Sequence, residues 1–512
     1  MNNQHQTDES RRAFLKAGVG ALGAMTLSQV ASENAVASEN AEADPSQSPR
    51  RPNFVFFLGE GVRWDEYSCM GNPIIQTPNM DRIAREGMTF RNSFTVNALC
   101  APSRAITLTG LYSHVTGIVS NQGTTGELDL PGQVIPEDIP VISDLLRKAG
   151  YEVGMFGRAN VNVEDRYWDY YFGFRGWIWD YHKPILREGI KGVWSSPKQY
   201  DEYVDDLITT RAVEWIGKKR EKPYCAFVWF NAPHAPFYRP RRLLDLYNGV
   251  KIPTPETFND DLKDPPYPGK PRNCAIANAR NKIGTTVNGY VDPRTLEELV
   301  KDHYAGVVDN DYNVGRVLDV LEKTGTLDDT AIILSSDHGF FLGEWRMYDK
   351  RFMYEPSIRV ALMVRYPRLV KAGSVCDLMV LNLDTMPTMM ELAGVKIPEN
   401  AQGKSLVPLL QGKSPTDWRK DWYYEYFSYP YDEHVRPHRG VRTERYKLMH
   451  FYAIPQYPEL PDQFELYDLK EDPKELNDLY GKPGYEALAE HLKRRIVEFR
   501  KETHDHTNDA LI

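Results

Sequence analysis

The chain has 512 residues, of which 41% are hydrophobic and 26% are charged, and its formal net charge is −9. These fractions are those of a globular protein and exclude a disordered or collagen-like chain. The acidic balance excludes a basic nucleic-acid-binding surface, so we expect no nucleic-acid partner. The five cysteines include no C-x-x-C pair, which excludes a zinc ribbon and a scaffold held together by disulfides.

The first 37 residues have the order of an export signal. The pair Arg11-Arg12 precedes a weakly apolar stretch rich in Ala and Gly, and a small-residue cleavage site, A-V-A, ends at Ala37. This order is typical of a twin-arginine signal, and the apolar stretch is too short for stable membrane insertion. We expect residues 1–37 to be recognised by the twin-arginine translocase, residues 38–50 to be a disordered linker, and the mature protein to be periplasmic or secreted.

From residue 51 onward, short apolar runs alternate with helical patterns. The apolar runs predict buried strands at residues 53–58, 151–156, 224–230, 330–335 and 359–364. Helical spacing predicts a helix that opens at Pro78 and others over 140–149, 200–218 and 296–324, the last with a break near Gly306. This alternation predicts an α/β fold with a large mixed, mostly parallel sheet sandwiched by helices.

The pattern changes after about residue 415. Short segments at 422–429, 440–451 and 464–469 predict antiparallel strands, and residues 485–502 predict a closing helix. We therefore divide the chain into a main domain over 51–415 and a smaller C-terminal α+β subdomain over 416–512. Residues 254–292, rich in Pro, Gly and Asn, predict a long excursion over the surface.

The most specific local pattern lies at residues 100–110, which read CAPSRAITLTG. Cys100 precedes Pro102, and proline suits the first turn of a helix. Free N–H groups and the dipole at a helix N-terminus favour an anion. Arg104, one turn further on, can offer a planar fork of donors to the same anion. These residues predict an oxyanion site beside a sulfur atom.

This pattern resembles the signature C-x-P-S-R-x-x-x-x-T-G of the type I, formylglycine-dependent sulfatases, and the resemblance extends over most of residues 52–365. It implies an alkaline-phosphatase-like fold, a calcium ion and the hydrolysis of sulfate esters. In this family a formylglycine-generating enzyme oxidises the cysteine, here Cys100. One hydroxyl of the hydrated aldehyde then attacks sulfur, and the second expels sulfate and restores the aldehyde.

Three further motifs resemble those of the same family. The sequence S-D-H-G around Asp337 and His338 implies that these two residues bind calcium. The sequence A-P-H-A-P-F around His234 implies that its imidazole binds sulfate and protonates the leaving oxygen. The segment G-E-W…K…Y-E resembles G-E-H…K…Y-E, which implies that Lys350 binds sulfate.

Three positions depart from the family pattern. After the first strand the family has two adjacent aspartates as metal ligands, whereas this chain has Glu60 and Gly61, so a second carboxylate is missing and we expect weaker metal binding. The family's G-K-W-H is G-R-A-N here. Arg158 is implied to hold a sulfate oxygen, and Asn160 can donate a hydrogen bond but cannot carry a proton. Trp345 stands in place of the histidine of G-E-H.

His114 lies a few residues beyond the cysteine motif, matches a histidine of some family members, and is a candidate for substrate binding. The C-terminal segment with Arg436, His438 and Arg442 resembles that of glycan-directed sulfatases and is expected to reach over the site. The candidate site residues are: catalytic, Cys100, Arg104, Arg158, His234 and Lys350; substrate-binding, Asn160 and His114; metal-binding, Glu60, Cys100, Asp337 and His338.

The aromatic segments at 167–171 and 177–179 favour a sulfated carbohydrate, because aromatic faces stack on sugar rings, and an aryl sulfate substrate stays open. Packing of a surface loop explains them equally well. Two alternatives stay open. One is a phosphonate or phosphate ester hydrolase of the same superfamily, which would favour an additional positive group for a dianion. The other is a sulfoglycan-binding protein that has lost its chemistry.

Overall fold

The computed structural model describes residues 51–121, 134–161, 168–174, 176, 178–259, 294–429, 434–453 and 462–507. The expected signal and linker, and most of the expected excursion over 254–292, lie outside the described residues. Every helix in the described ranges is too short or too polar to traverse a lipid bilayer.

One large mixed sheet organises the main domain. Its strands within the described residues are β1 (Asn53–Gly59), β2 (Met88–Phe94), β3 (Glu152–Arg158), β4 (Tyr170–Phe174), β5 (Ile185–Ile190), β6 (Val193–Trp194), β7 (Lys198–Gln199), β8 (Tyr224–Trp229), β9 (Thr330–Ser336), β10 (Arg359–Arg365), β11 (Ser374–Cys376) and β12 (Val380–Leu381). The strand order is β11-β2-β10-β9-β1-β8-β3-β4-β5-β6, with β12 beside β2 and β7 beside β5. The central strands β9-β1-β8-β3-β4 are parallel, which confirms the predicted α/β sheet.

Helices cover both faces of this sheet. In the described chain they are α1 (Pro78–Glu86), α2 (Cys100–Thr109), α3 (Ser113–Thr116), α4 (Ile142–Lys148), α5 (Val204–Ile216), α6 (Leu296–Lys323), α7 (Glu355–Ile358), α8 (Thr385–Leu392), α9 (Val407–Leu410) and, in the C-terminal subdomain, α10 (Glu486–Thr503). Side chains of β1 alternate between the faces. Phe54 and Phe56 pack with α2, α4 and α8, whereas Val55 and Phe57 pack with α1, α5 and α6. Burial on both faces explains why β1 is apolar throughout.

The long helix α6 corrects one expectation. It continues without a break through Gly306, and Thr295 opens it with a capping box completed by Glu298. A Cβ atom at Gly306 would lie 2.8 Å from the side chain of Pro233. The glycine therefore allows a close approach between α6 and the loop after β8, and it does not interrupt the helix.

The C-terminal subdomain contains a four-stranded antiparallel sheet in the order β13 (Asp421–Tyr426), β14 (His438–Thr443), β15 (Tyr446–Phe451) and β16 (Gln463–Asp468). The segment predicted as one strand over 440–451 is the hairpin of β14 and β15. Trp422 and Tyr424 share a buried cluster with Phe94 and Leu99. This packing joins the smaller sheet to the segment that leads into Cys100.

Candidate active site

The parallel strands present polar side chains at one edge of the large sheet. Glu60 follows β1, Asp337 and His338 follow β9, His234 lies beyond β8, and Arg158 ends β3. These four strands are adjacent and parallel, so their carboxyl ends meet at the same edge. Ligand sites of open parallel sheets form at such edges. The topology therefore brings together residues that are far apart in the sequence.

Cys100 joins this edge from the first turn of α2. One ligand atom from each of Glu60, Cys100, Asp337 and His338 lies within 4.8 Å of the other three, and all four residues are buried. The Cys100 Sγ is 2.8 Å from Oε1 of Glu60 and 3.4 Å from Nε2 of His338. These are the four residues that the sequence analysis assigned to the metal. Two carboxylates and an imidazole converging on one point form a donor set that fits a divalent cation.

The orientation of His338 also fits a metal ligand. Its Nδ1 is 2.8 Å from the carbonyl oxygen of Gly339, which can only accept, so Nδ1 carries the hydrogen and Nε2 faces the cluster. Burial disfavours a charged imidazole, but the negative charge of Asp337 outweighs it and raises the pKa of His338 to about 10. A cation that binds Nε2 must therefore displace a proton.

Two arginines hold the carboxylates in place. Arg104 donates from Nε to Oδ2 of Asp337 at 3.0 Å and from a terminal nitrogen to Oε2 of Glu60 at 2.6 Å. Arg158 pairs with the same Glu60 oxygen at 3.0 Å. Although burial raises it, Arg158 and Arg104 keep the pKa of Glu60 well below its usual range, so that carboxylate is charged.

This geometry modifies the expected role of Arg104. Its remaining terminal nitrogen donates to the carbonyl of Arg158, and the side chain is fully buried. These three nitrogens thus donate to the chain itself, and Arg104 orients the carboxylates that were assigned to the metal. The first turn of α2 is also less open than predicted, because the backbone N–H of Ala101 donates to Oδ1 of Asn121 at 3.0 Å. No sequence pattern around Asn121 signalled this contact.

His234 and Lys350 lie close to one carboxylate oxygen of the cluster. The His234 Nε2 is 3.9 Å and the Lys350 Nζ is 3.8 Å from Oε1 of Glu60. Burial, with the positive charges of Lys350 and Arg158, holds the pKa of His234 well below its usual range. Burial opposes the charge of Lys350, but neighbours including Cys100, Asp349 and Glu60 raise its pKa. Lys350 is therefore charged, and His234 is neutral before a substrate binds.

Asn160 has the features of a side chain that awaits a ligand. Only 1% of its surface is exposed, and neither Oδ1 nor Nδ2 has a hydrogen-bond partner among the described residues. Its backbone lies in the left-handed region, with φ of 56°. An unpartnered buried polar group costs about 1–3 kcal/mol. Asn160 lies two residues beyond Arg158, and its role as a substrate contact stays a prediction.

The departures at Gly61 and Trp345 have separate structural consequences. The Gly61 N–H donates to Oδ1 of Asp337 at 3.1 Å, so a backbone amide stands where a second carboxylate was expected. A Cβ atom at Gly61 would lie 3.2 Å from Phe340, and φ is +75°. Trp345 is buried, with its ring centroid 5.0 Å from that of Tyr354. It belongs to the hydrophobic cluster shared with the C-terminal subdomain.

The structure corrects the expectation that His114 binds substrate. Its Nδ1 is 2.6 Å from Oε2 of Glu425, and its Nε2 is 2.9 Å from the carbonyl oxygen of Thr503. Both ring nitrogens therefore have partners within the chain. Burial opposes protonation, but the negative charge of Glu425 raises the pKa of His114 to about 9. His114 fastens α3 to β13 and the end of α10.

The expectation that Arg436, His438 and Arg442 reach over the site is also wrong. All three side chains are buried. The His438 Nε2 accepts the backbone N–H of Met353 at 3.1 Å, and Arg442 donates to Glu355 at 2.9 Å. His438 and Arg442 therefore join the C-terminal sheet to the main domain, whereas Arg436 donates to Gln463 of that sheet.

The aromatic segments differ from one another. Trp168 and Tyr171 are buried in the core of the large sheet, so packing explains them. Trp179, by contrast, is 79% exposed. Tyr167 and Trp177 lie outside the described residues.

Comparisons with known proteins show what this chain is similar to. The family model described as Sulfatase matches residues 52–395, and the model described as N-sulphoglucosamine sulphohydrolase, C-terminal, matches residues 343–502. An N-acetylglucosamine-6-O-sulfatase of Bacteroides thetaiotaomicron is 33% identical, covering 90% of this chain and 88% of that protein. A multifunctional alkaline phosphatase superfamily protein of Trinickia caryophylli is 27% identical, covering 85% and 91%. A solved structure in complex with its substrate D-glucosamine-2-N,6-O-disulfate has a TM-score of 0.79 and 32% identity, covering 90% of this chain and 99% of that one.

Proposed function

The chain belongs to the sulfatase family and is a sulfuric ester hydrolase, and we propose that it removes sulfate from a sulfated amino sugar by means of formylglycine made from Cys100, with calcium bound beside it. Two comparisons support the substrate class. A similar curated protein is named as a 6-O-sulfatase of N-acetylglucosamine, and a similar solved structure holds a sulfated glucosamine as its substrate. This chain aligns with at least 88% of the length of each.

The observation that carries the proposal is the convergence of Cys100 with Glu60, Asp337 and His338 within 4.8 Å. Oε1 of Glu60, Oδ1 of Asp337 and Nε2 of His338 would hold the metal together with the side chain at position 100. Calcium prefers oxygen ligands, and the two carboxylates supply them. When present, formylglycine supplies a nucleophilic hydroxyl, and the cation supplies positive charge for the sulfate oxygens.

The remaining side chains bind the substrate and move one proton. The charged Lys350 and Arg158 attract the sulfate and stabilise negative charge that develops on its oxygens. Asn160 offers both a donor and an acceptor to the substrate. His234 takes up a proton when a bound anion raises its pKa, and it donates that proton from Nε2 to the leaving sugar oxygen. A sugar hydroxyl is a poor leaving group, so this proton is essential for a carbohydrate substrate.

We propose further that the protein acts in the periplasm or is secreted. The arginine pair and the A-V-A sequence before residue 38 support export by the twin-arginine translocase. That route carries folded proteins, which agrees with modification of Cys100 by a formylglycine-generating enzyme before export. Replacing both Arg11 and Arg12 with lysine should leave the protein in the cytoplasm, as cell fractionation would report. Undiminished export of that variant would contradict this route.

Mass spectrometry of the tryptic peptide 92–104 tests the proposed nucleophile. The protein should come from a host with a formylglycine-generating system and a control sulfatase that is converted there. We expect the mass of the aldehyde or its hydrate at Cys100. A fully retained thiol beside a converted control would contradict the covalent mechanism and favour a binding protein.

A comparison of glucosamine 6-sulfate with the matched 6-phosphate tests the substrate class. We expect turnover of the sulfate to dominate. Dominant turnover of the phosphate would instead support the phosphate-hydrolase alternative, which the multifunctional relative keeps open.

A further inference from the structure

The turn that carries His234 is held by a buried carboxylate on α5. After β8 ends, the backbone N–H groups of Asn231 and Ala232 donate to Oδ1 and Oδ2 of Asp205, each at 2.8 Å. Asp205 is fully buried, so these hydrogen bonds are shielded from water. Each oxygen of one carboxylate thus accepts from one of two consecutive amides.

The opposite side of the same turn rests on α6. Asn310 donates from Nδ2 to the carbonyl oxygen of Ala232 at 2.8 Å. One turn earlier in the helix, a Cβ atom at Gly306 would lie 2.8 Å from the side chain of Pro233. The turn 231–234 is therefore confined between a carboxylate on one helix and the backbone of another.

His234 inherits its position from this turn. Its backbone N–H donates to the carbonyl of Asn231 at 3.0 Å, and its own carbonyl accepts from the hydroxyl of Tyr181. Its Nδ1 is 2.6 Å from the carbonyl oxygen of Ala235, which sets the ring so that Nε2 lies 3.9 Å from Oε1 of Glu60. Hydrogen bonds therefore connect Asp205 through Asn231 to the backbone of His234, and the contact of Nδ1 sets the orientation of the ring that carries Nε2.

We propose that Asp205 is a positioning residue for the reaction: by gripping the amides of Asn231 and Ala232, it fixes Nε2 of His234 at the distance needed to protonate the leaving oxygen. The inference rests on the proposed function of His234 as the proton donor. Asp205 contacts neither Glu60 nor Cys100 in any hydrogen bond of the described chain. Displacing a reacting group by about 1 Å can lower a rate roughly a hundredfold, so a fixed turn matters.

The setting of Asp205 supports a role beyond stability. Burial raises the pKa of Asp205 to about 7, against the two backbone amides and Arg242, which lower it, while neighbouring Asp206 raises it further. A buried carboxylate is an expensive choice for a helix position that faces a core. Its geometry serves the turn, because both of its oxygens accept from the same short segment.

The test is the variant Asp205→Asn, which keeps the shape but turns one acceptor into a donor that faces a backbone N–H. We expect kcat for a sugar sulfate to fall about 10- to 100-fold, with KM little changed. For an aryl sulfate with an acidic phenol, which leaves without a proton, kcat should fall less than about threefold. A general loss of folded protein would lower both rates equally.

Three further variants make the result decisive. His234→Ala sets the largest difference between the two substrates, and Asp206→Asn, on the same helix but paired with Arg242, should leave their ratio unchanged. Gly306→Ala pushes the turn from α6 and should reproduce the signature of Asp205→Asn even if that variant folds poorly. If His234→Ala discriminates but Asp205→Asn and Gly306→Ala do not, the positioning role is overturned while the proposed function stands. If His234→Ala does not discriminate, the proton-donor role fails, and the inference fails with it.

Discussion

Two clusters in this protein combine a histidine with carboxylates, and they use their donors differently. The Cys100 cluster consists of Glu60, Cys100, Asp337 and His338. The clasp cluster consists of His114, Glu425 and Asp505. In the Cys100 cluster, Nε2 of His338 is 3.5 Å from the nearest oxygen of each carboxylate. In the clasp cluster, Nδ1 of His114 is 2.6 Å from Glu425.

The difference lies in how closely the histidine ring nitrogens of each cluster contact their partners. Arg104 binds one oxygen of Glu60 and one of Asp337, while the other Glu60 oxygen contacts Sγ of Cys100 at 2.8 Å and the other Asp337 oxygen accepts the backbone N–H groups of Gly61 and His338 at 3.1 and 2.9 Å. The contacts of Nε2 of His338 are longer, at 3.4 Å to Cys100 and 3.5 Å to each carboxylate. Glu425 instead directs both oxygens to the backbone and ring of His114. Both clusters thus place a histidine beside two carboxylates, and two features distinguish the one that suits a cation: the cysteine, and a ring nitrogen without a short contact.

The largest effect expected is the loss of turnover in Cys100→Ala. The variant lacks any precursor of the nucleophile, so activity on a sulfate ester should fall at least about a thousandfold. Circular dichroism should show an unchanged fold, because alanine is small and helix-compatible. Cys376→Ala, at a half-buried cysteine on β11, is the matched control and should retain activity. Normal turnover of Cys100→Ala would end the covalent mechanism.

The two carboxylate clusters should separate next in their response to metal. Asp337→Asn removes the negative charge of one proposed metal ligand. We therefore expect bound calcium to drop and activity to fall about a hundredfold, with partial recovery at high calcium. Glu425→Gln should leave metal content and the calcium dependence of activity unchanged, although it lowers the melting temperature. Elemental analysis of the two dialysed variants measures their bound metal, and activity assays at increasing calcium concentration measure the calcium dependence. Loss of metal from Glu425→Gln would show that the clasp cluster also binds a cation.

The sequence predicted the proximity of the residues in the Cys100 cluster far better than that of the residues in the clasp cluster, for a physical reason. Continuous apolar runs identified β1, β8 and β9, and parallel strands bring their carboxyl ends to one edge. Residues directly after those strands, such as Glu60 and Asp337, could therefore be placed together. The partners of His114 lie 311 and 389 residues away, in elements whose docking no local pattern encodes. The engagement of Arg104 by carboxylates was hidden for the same reason.

A smaller effect concerns the pH dependence of stability. Glu425 raises the pKa of His114 from 6.5 to about 9, so the folded protein binds a proton that the unfolded chain releases at a lower pH. The resulting stabilisation is complete below pH 6.5 and is lost as pH rises through about 9; it amounts to about 3 kcal/mol. His114→Gln should remove this pH dependence in urea unfolding, while His491→Gln, at an exposed site on α10, should keep it. If stability depended on pH equally in His114→Gln and wild type, the charged pair of His114 and Glu425 would not be its source.

The smallest effect expected is that of Asp505→Asn. Asp505 contributes less to the raised pKa of His114 than Glu425 does, and its oxygens are occupied by Tyr423, Arg500 and Thr507. Because the amide keeps one acceptor, the stabilisation lost at alkaline pH should shrink by less than about 1 kcal/mol, and metal content should not change. The same urea titrations measure this against Glu425→Gln, which should abolish the pH-dependent contribution. An effect as large as that of Glu425→Gln would mean that His114 is held jointly by two carboxylates, as His338 is. The difference between the clasp cluster and the Cys100 cluster would then rest on the cysteine and the arginines alone.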